Sequence, residues 1–245
     1  MNERVNYEEL WGKEWLELQR IGPLTRTNHR LIVKMIEKYC LPGARLLDVG
    51  CGNGALLAML STRFPSLSLA GVEGSEQAVA NAPDSIRRNL VVQDITNGFR
   101  LDHDDFDIVT CAEVLEHLSD YHKALQSIVD HTRSGCHVLI TAPHSMRYWS
   151  QVDEFAGHYR RFEYRDLKSE LMSYGLKPIR YFTWGFPVSF LYFQLVKGID
   201  PSKLMRPRPS VMKKAVANLL YHAMKIDDVF TGTRWHQLIA LARKL

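Results

Sequence analysis

The sequence predicts an α/β fold: a seven-stranded, mostly parallel sheet with helices on both faces, N-terminal helices, and a helical cap inserted before the last strand. Three observations predict it. From Ala44 to about Ile140, short apolar runs alternate with helical stretches, the pattern of a parallel sheet with crossover helices. The first run, Leu46-Leu47-Asp48-Val49, opens directly into Gly50-Cys51-Gly52-Asn53-Gly54 and a helical stretch. The stretch 185–230 is too long for a hairpin connection and carries two helical patterns of its own.

In chain order, Tyr7 to Tyr39 reads as two helices broken at Gly22-Pro23, with Leu31, Ile32, Met35 and Ile36 at helical spacing; Pro42-Gly43 ends the section. Strands are expected at Arg45–Val49, Leu67–Val72, Leu90–Gln93, Phe106–Cys111 and His137–Thr141. Helices are expected at Ala55–Phe64, Ser75–Ala82 and Tyr121–Thr132. A helix from about Arg165 to Tyr174 follows, then strands at Lys177–Trp184 and Trp235–Ala242. Between these two strands, helical patterns around Val188–Lys197 and Val211–Lys225 are joined by a linker from Pro201 to Pro209. The implied organisation is 1–42 as an N-terminal helical cap, 43–184 as a Rossmann-like core, 185–230 as a helical cap insertion and 231–245 as the final strand.

Composition narrows the class. The 245 residues are 46% hydrophobic and 24% charged with a net charge of +4, ordinary for a globular protein and too mild to argue for nucleic acid without a concentrated basic face. Cys40, Cys51, Cys111 and Cys136 contain no CxxC pair, which argues against a zinc ribbon and fits a reducing cytoplasm. The first residues are polar and lack an apolar signal core. The longest apolar run, Trp184 to Val196, is 13 residues, short of the roughly 20 that span a bilayer.

The glycine loop is the strongest local signal. Glycine permits positive φ and lets a ligand approach the main chain. The Gly-x-Gly-x-Gly spacing departs from the Gly-x-Gly-x-x-Gly dinucleotide fingerprint, and no Lys-Ser/Thr follows to make a phosphate loop. Two acids then arrive at strand ends. Glu73 lies 19 residues beyond Gly54, where a carboxylate can accept from ribose hydroxyls. Asp94 ends the next strand, with Ile95 placed to meet an adenine ring.

These motifs resemble the class I S-adenosylmethionine-dependent methyltransferases. Leu47-Asp48-Val49-Gly50-Cys51-Gly52-Asn53-Gly54 is similar to the family's first motif, Val72-Glu73-Gly74 to its second and Gln93-Asp94-Ile95 to its third. Phe106-Asp107-Ile108-Val109 is similar to its fourth-strand motif. The resemblance covers Leu46 to Pro143 and implies S-adenosyl-L-methionine held by Asp48, Gly50, Cys51, Gly52, Gly54, Glu73, Gly74, Asp94, Ile95 and Cys111. It also implies an antiparallel final hairpin, with the terminal helices and the insert shaping the substrate pocket.

Glu113, Glu116 and His117 stand at i, i+3, i+4; on a helix they would share one face and could chelate a divalent metal, Mg²⁺ or Mn²⁺ by oxygen, Zn²⁺ or Fe²⁺ by imidazole. The segment resembles the metal-dependent O-methyltransferases of ubiquinone synthesis and the 2′-O-methyltransferases of small-RNA ends; in the RNA group a later His completes the site, and His158 would be its counterpart. Many class I members without a metal carry Leu-Glu-His here, so both readings stay open: Glu113, Glu116, His117 and His158 as ligands, or His117 or His158 as the base that takes a proton from the acceptor. His144 is either a substrate contact or a solvated loop residue. Arg160 and Arg161 could bind a phosphate or carboxylate, but the favoured expectation is a salt bridge to the nearby Glu163 or Asp166.

The expected activity is methyl transfer to a hydroxyl of a small molecule, an aromatic, sugar or prenylated acceptor. The alternatives are an RNA 2′-O-methyltransferase and a non-catalytic module that binds the same cofactor. Two readings of 185–214 stand side by side, because aromatic residues Trp184 to Phe193 precede Lys197, Lys203, Arg206, Arg208, Lys213 and Lys214. One is a cap with a solvated linker; the other is a peripheral membrane contact.

Overall fold

A computed structural model describes residues 20–102, 105–200 and 210–245. The first of the two N-terminal helices and the Pro201 to Pro209 linker lie outside the described residues.

The sheet has seven strands in the order β3-β2-β1-β4-β5-β7-β6. They are β1 (Arg45–Val49), β2 (Ser68–Glu73), β3 (Leu90–Val92), β4 (Phe106–Ala112), β5 (Thr132–Pro143), β6 (Leu176–Trp184) and β7 (Gln237–Lys244). The first five run parallel, and β7 is antiparallel to both neighbours, β5 and β6. All seven expected strands are present, and the antiparallel final hairpin is confirmed. Central strands are apolar on both sides because helices cover both faces. Leu47, Val109, Val138 and Ile140 join one core cluster, while Leu46, Ile108 and Leu139 join the other, the period-two alternation of a strand.

The helices are α1 (Pro23–Ile36), α2 (Ala55–Arg63), α3 (Glu76–Ala80), α4 (Asp84–Arg87), α5 (His122–Asp130), α6 (Gln151–Phe155), α7 (Tyr164–Ser173), α8 (Val188–Val196) and α9 (Val211–Ala223). Helix α1 starts with Pro23 in its first turn, where a missing N–H costs nothing, and buries Leu31, Ile32, Met35 and Ile36. The short helices α4 and α6 are additions to the sequence expectation. Between β6 and β7, Asp227 caps α8 by accepting from the Val188 and Ser189 amides, both at 2.8 Å. Helix α9 leans on α1 through Arg26, which donates to Asn218 at 2.7 Å and lies over the Tyr221 ring. No helix among the described residues is long and apolar enough to cross a membrane.

Candidate active site

The strand order reverses direction at β1, between β2 and β4, and a crevice forms at such a switch beyond the carboxyl ends of the strands. Here lies a cavity of about 280 Å³. One wall is the loop after β1. Gly50, Gly52 and Gly54 take φ of 68°, 53° and 70°, a region that costs other residues roughly 1–2 kcal/mol. At Gly50 a Cβ would also lie 2.4 Å from Val114 Cγ2. The loop is anchored backward, with the Gly50 and Cys51 amides donating to Val72 O at 2.8 and 3.1 Å.

Glu73, at the end of β2, is buried. Its Oε2 accepts from the Gly52 amide at 2.8 Å and its Oε1 from the Ser75 amide at 3.0 Å. Asp48 Oδ1 accepts from Thr110 Oγ1 at 2.7 Å. Burial raises its pKa to about 7, with the Thr110 hydrogen bond opposing and the Glu73 carboxylate adding to the rise.

Asp48, Gly50, Cys51 and Gly52 line the cavity. Gly74 is exposed, and a Cβ there would meet only Gln93 O, at 3.9 Å. Asp94 is exposed, with its two oxygens accepting from the Thr96 amide and hydroxyl at 2.8 and 2.9 Å; Ile95 beside it is buried. Cys111 departs from the expectation of a cofactor contact. It is fully buried in the core, and the cavity is lined instead by Ala112, because successive side chains of β4 face opposite ways.

The opposite wall holds the acid–histidine group, and its geometry corrects the helical expectation. Leu115–His117 is one 3₁₀ turn, and Glu113 precedes it with φ of 55°. The three side chains therefore do not share a helix face. Glu113 Oε1 accepts from Thr141 Oγ1 at 2.8 Å and Asn28 Nδ2 at 3.3 Å. Glu116, His117 and His158 do come together: each offers a ligand atom within 4.8 Å of the others, and Glu113 is outside that group. The His117 and His158 rings meet edge to face with centroids 4.6 Å apart. Burial and the nearby His158 lower His117 to about 3, so its imidazole is neutral at physiological pH. Burial raises the Glu116 carboxyl, and neighbouring Glu113 adds to the rise.

Sequence reasoning missed Asp153. It is fully buried on α6 and accepts from His158 Nδ1 at 2.8 Å, from Arg161 Nε and Nη2 at 2.8 and 2.9 Å, and from the Ser150 amide at 2.8 Å. Burial pushes its pKa up, but the hydrogen bonds from His158 and Arg161 outweigh that and bring it to about 2. Donation from Nδ1 leaves His158 Nε2 as the free ring acceptor. Arg161 thus pairs with Asp153 rather than Glu163 or Asp166. Arg160 donates to Ser119 O and lies over the Tyr121 ring. His144 is buried, with Nδ1 against Trp235 O; it is neither in the cavity lining nor in a solvated loop.

The inner end is apolar and aromatic: Trp184, Phe193, Val196 and His236 all line it, and Phe193 stacks on His236 with centroids 5.1 Å apart. Among the described residues, buried side-chain polar atoms without a partner include Asn28 Oδ1, both Glu116 carboxylate oxygens, Trp184 Nε1 and both His236 ring nitrogens. All four residues line the cavity. Buried groups of this kind cost roughly 1–3 kcal/mol each when left unmatched.

A family model described as Methyltransferase domain matches residues 19–181. The chain belongs to this methyltransferase family. The class I S-adenosylmethionine-dependent resemblance is thereby confirmed, down to its likeness to the ubiquinone-type enzymes. The chain is 29% identical over 130 residues to a ubiquinone biosynthesis O-methyltransferase of Hahella chejuensis, covering 49% of this chain and 52% of that protein. A Vibrio cholerae protein of the same name is 29% identical over 145 residues, covering 57% and 59%. The chain thus spans about half the length of the curated relatives it matches. Among solved structures, a Haemonchus contortus phosphoethanolamine N-methyltransferase 2 in complex with S-adenosyl-L-methionine has a TM-score of 0.59 at 16% identity, covering 98% of this chain and 60% of that one. The (4+2)-cyclase SpnF also has a TM-score of 0.59, at 20% identity, covering 88% and 81%. These likenesses establish the fold; the reaction has to be argued from the site.

Proposed function

We propose that this protein transfers a methyl group from S-adenosyl-L-methionine to a hydroxyl of a small, uncharged acceptor. One observation carries the reading: the glycine loop with Asp48 and the Glu116, His117 and His158 group line a single cavity. The positive-φ backbone fits the cofactor's methionine end, and the buried Glu73 carboxylate bonded to the Gly52 amide is assigned to its ribose. Asp94 and Ile95 are assigned to its adenine end. When bound, S-adenosyl-L-methionine supplies a methyl on a positively charged sulfur, a leaving group that needs no proton. The chain's task is then to hold the acceptor oxygen at attack distance and to take its proton. His158 Nε2 would take it, a role supported by Asp153 accepting from Nδ1 and so leaving Nε2 as the ring acceptor. General-base catalysis of this kind contributes roughly 10²–10⁴-fold.

The acceptor's charge follows from the lining. Among the described lining residues Arg161 is the one permanent cation, and it is committed to Asp153. An RNA backbone, which is held by arginine and lysine, finds no such partner here. The O-methyltransferase names of the relatives favour oxygen over nitrogen.

A second reading is favoured by the two unpartnered Glu116 oxygens. Glu116, His117 and His158 would hold a divalent ion, with Asp153 orienting His158 from behind; when bound, such an ion lowers the pKa of an acceptor hydroxyl. Both readings are tested by turnover on a panel of phenolic, sugar and prenylated acceptors, with isothermal titration of the cofactor in parallel. His158→Ala is expected to slow transfer by about 10²-fold or more with cofactor affinity retained. A rate unchanged by EDTA and by Glu116→Gln removes the metal. Cofactor binding without turnover on any acceptor leaves a binding module.

A further inference from the structure

Helix α9 buries none of its side chains. One flank leans on α1 through Asn218 and Tyr221, and the opposite flank, roughly 160° away at about 100° per residue, carries Met212, Val216 and Leu219 at i, i+4, i+7, one stripe of a helix. Met212 is 76% exposed and Leu219 70%, with Val211 at the helix start 86% exposed. Helix α8 repeats the pattern on a smaller scale, with Leu191 and Leu195 exposed one turn apart. It is tied to the turn following α9 by the Asp227 cap. A helix with its larger apolar stripe turned outward is the signature of a face that meets something apolar.

Charge identifies the occupant. Neither α8 nor α9 contains an acidic residue, while Lys213 stands beside the apolar stripe in the first turn of α9, Lys197 and Lys225 follow the two helices, and all three are exposed. The acids of the following turn are committed: Asp227 to the α8 amides and Asp228 to Arg30 and Lys34. We infer that α9, with the outer face of α8, docks this protein on an anionic lipid surface. The Met212, Val216 and Leu219 stripe enters the headgroup boundary, and Lys213 beside it, with Lys197 at the end of α8, contacts lipid phosphates. This is the geometry of an interfacial helix, and it moves the contact expected from the sequence at 185–214 onto 211–219. It is independent of what the cavity does.

The test is co-sedimentation of the full chain with vesicles of phosphatidylcholine alone and of phosphatidylcholine mixed equally with phosphatidylglycerol. The wild type is expected to bind the mixed vesicles and to be released by salt, since each lysine near an anionic surface is worth roughly fivefold in partitioning. Leu219→Glu, and separately Lys213→Glu, should each weaken binding by at least about fivefold. Lys213→Glu guards against misfolding, because acids in the first turn of a helix favour it; an unchanged cofactor isotherm confirms the fold. Equal binding to both vesicles, binding to neither, or variants that bind as the wild type does would overturn the inference. So would a dimer in lipid-free solution that Leu219→Glu dissolves, which would make a second copy the occupant.

Discussion

The two walls of the cavity are built on opposite principles. On the glycine-loop side the fixed polar groups are matched within the fold: Glu73 accepts two backbone amides, Asp48 accepts from Thr110, and the loop's first two amides reach Val72. On the histidine side and at the inner end the unmatched groups accumulate, in Asn28, Glu116, Trp184 and His236, and a non-glycine residue, Glu113, takes positive φ. A matched wall is preorganised to receive an invariant ligand without rearranging. A wall with unspent hydrogen-bonding capacity is where a second ligand supplies the partners, and strain tends to collect in such places.

The comparison breaks most visibly at Glu73. Its removal leaves the buried Gly52 and Ser75 amides unmatched and takes away the acceptor proposed for the ribose hydroxyls. Glu73→Ala is therefore expected to weaken S-adenosyl-L-methionine by about 100-fold or more, two charge-assisted hydrogen bonds at roughly 1.5–3 kcal/mol each. Glu116→Gln on the other wall should change that affinity by less than about threefold. Isothermal titration of both variants decides it. Equal losses would mean that the walls are not separate.

The matched wall was also the legible one. Strand β1 and its glycine loop are local: an apolar run, a turn needing positive φ and a helix start follow one another within the chain. The histidine wall is assembled from afar. Glu116 and His117 meet His158 across 41 residues, and five residues around Glu113 carry too little periodicity to separate an α-helix from a 3₁₀ turn. Helix α6 did leave a signal: Ser150 and Asp153 form a capping box, although Asp replaces the usual Glu or Gln in the motif. Nothing in sequence proximity chooses Asp153 over Glu163 for Arg161; burial does. Cys111 was misplaced for a simpler reason, since the period of a strand assigns Ala112, its neighbour, to the cavity.

Asp153 sharpens the contrast, because it lends the histidine wall a fully matched centre. Asp153→Asn keeps an acceptor but loses the charge that Arg161 and His158 face, at an expected cost of about 2–3 kcal/mol in stability. With a folded pKa near 2, below the ordinary 3.8, the carboxylate's stabilisation is fully present above about pH 4 and is lost as pH falls toward 2. Wild-type unfolding free energy should drop across that window, and the variant's should be flatter. Denaturant titrations at several pH values check this, and the variant's cofactor affinity at neutral pH should stay within about threefold.

The smallest effect probes the matched wall at Asp48. Its pKa of about 7 means that near neutrality the empty site holds roughly half a proton there. An acid raised in this way makes the cofactor-free fold more stable as pH falls from about 7 toward 4, because the protonated form no longer bears the cost of burial. A positively charged sulfonium beside Asp48 favours the carboxylate, so cofactor binding should expel about half a proton at pH 7, more at pH 6 and almost none above pH 9. Isothermal titration in two buffers of different ionisation enthalpy reads that number directly, and Asp48→Asn should remove the buffer dependence. Heats that are the same in both buffers at pH 6 would mean that the cofactor's charge is held elsewhere, and that the glycine loop, rather than the loop together with Asp48, forms the methionine end of the site.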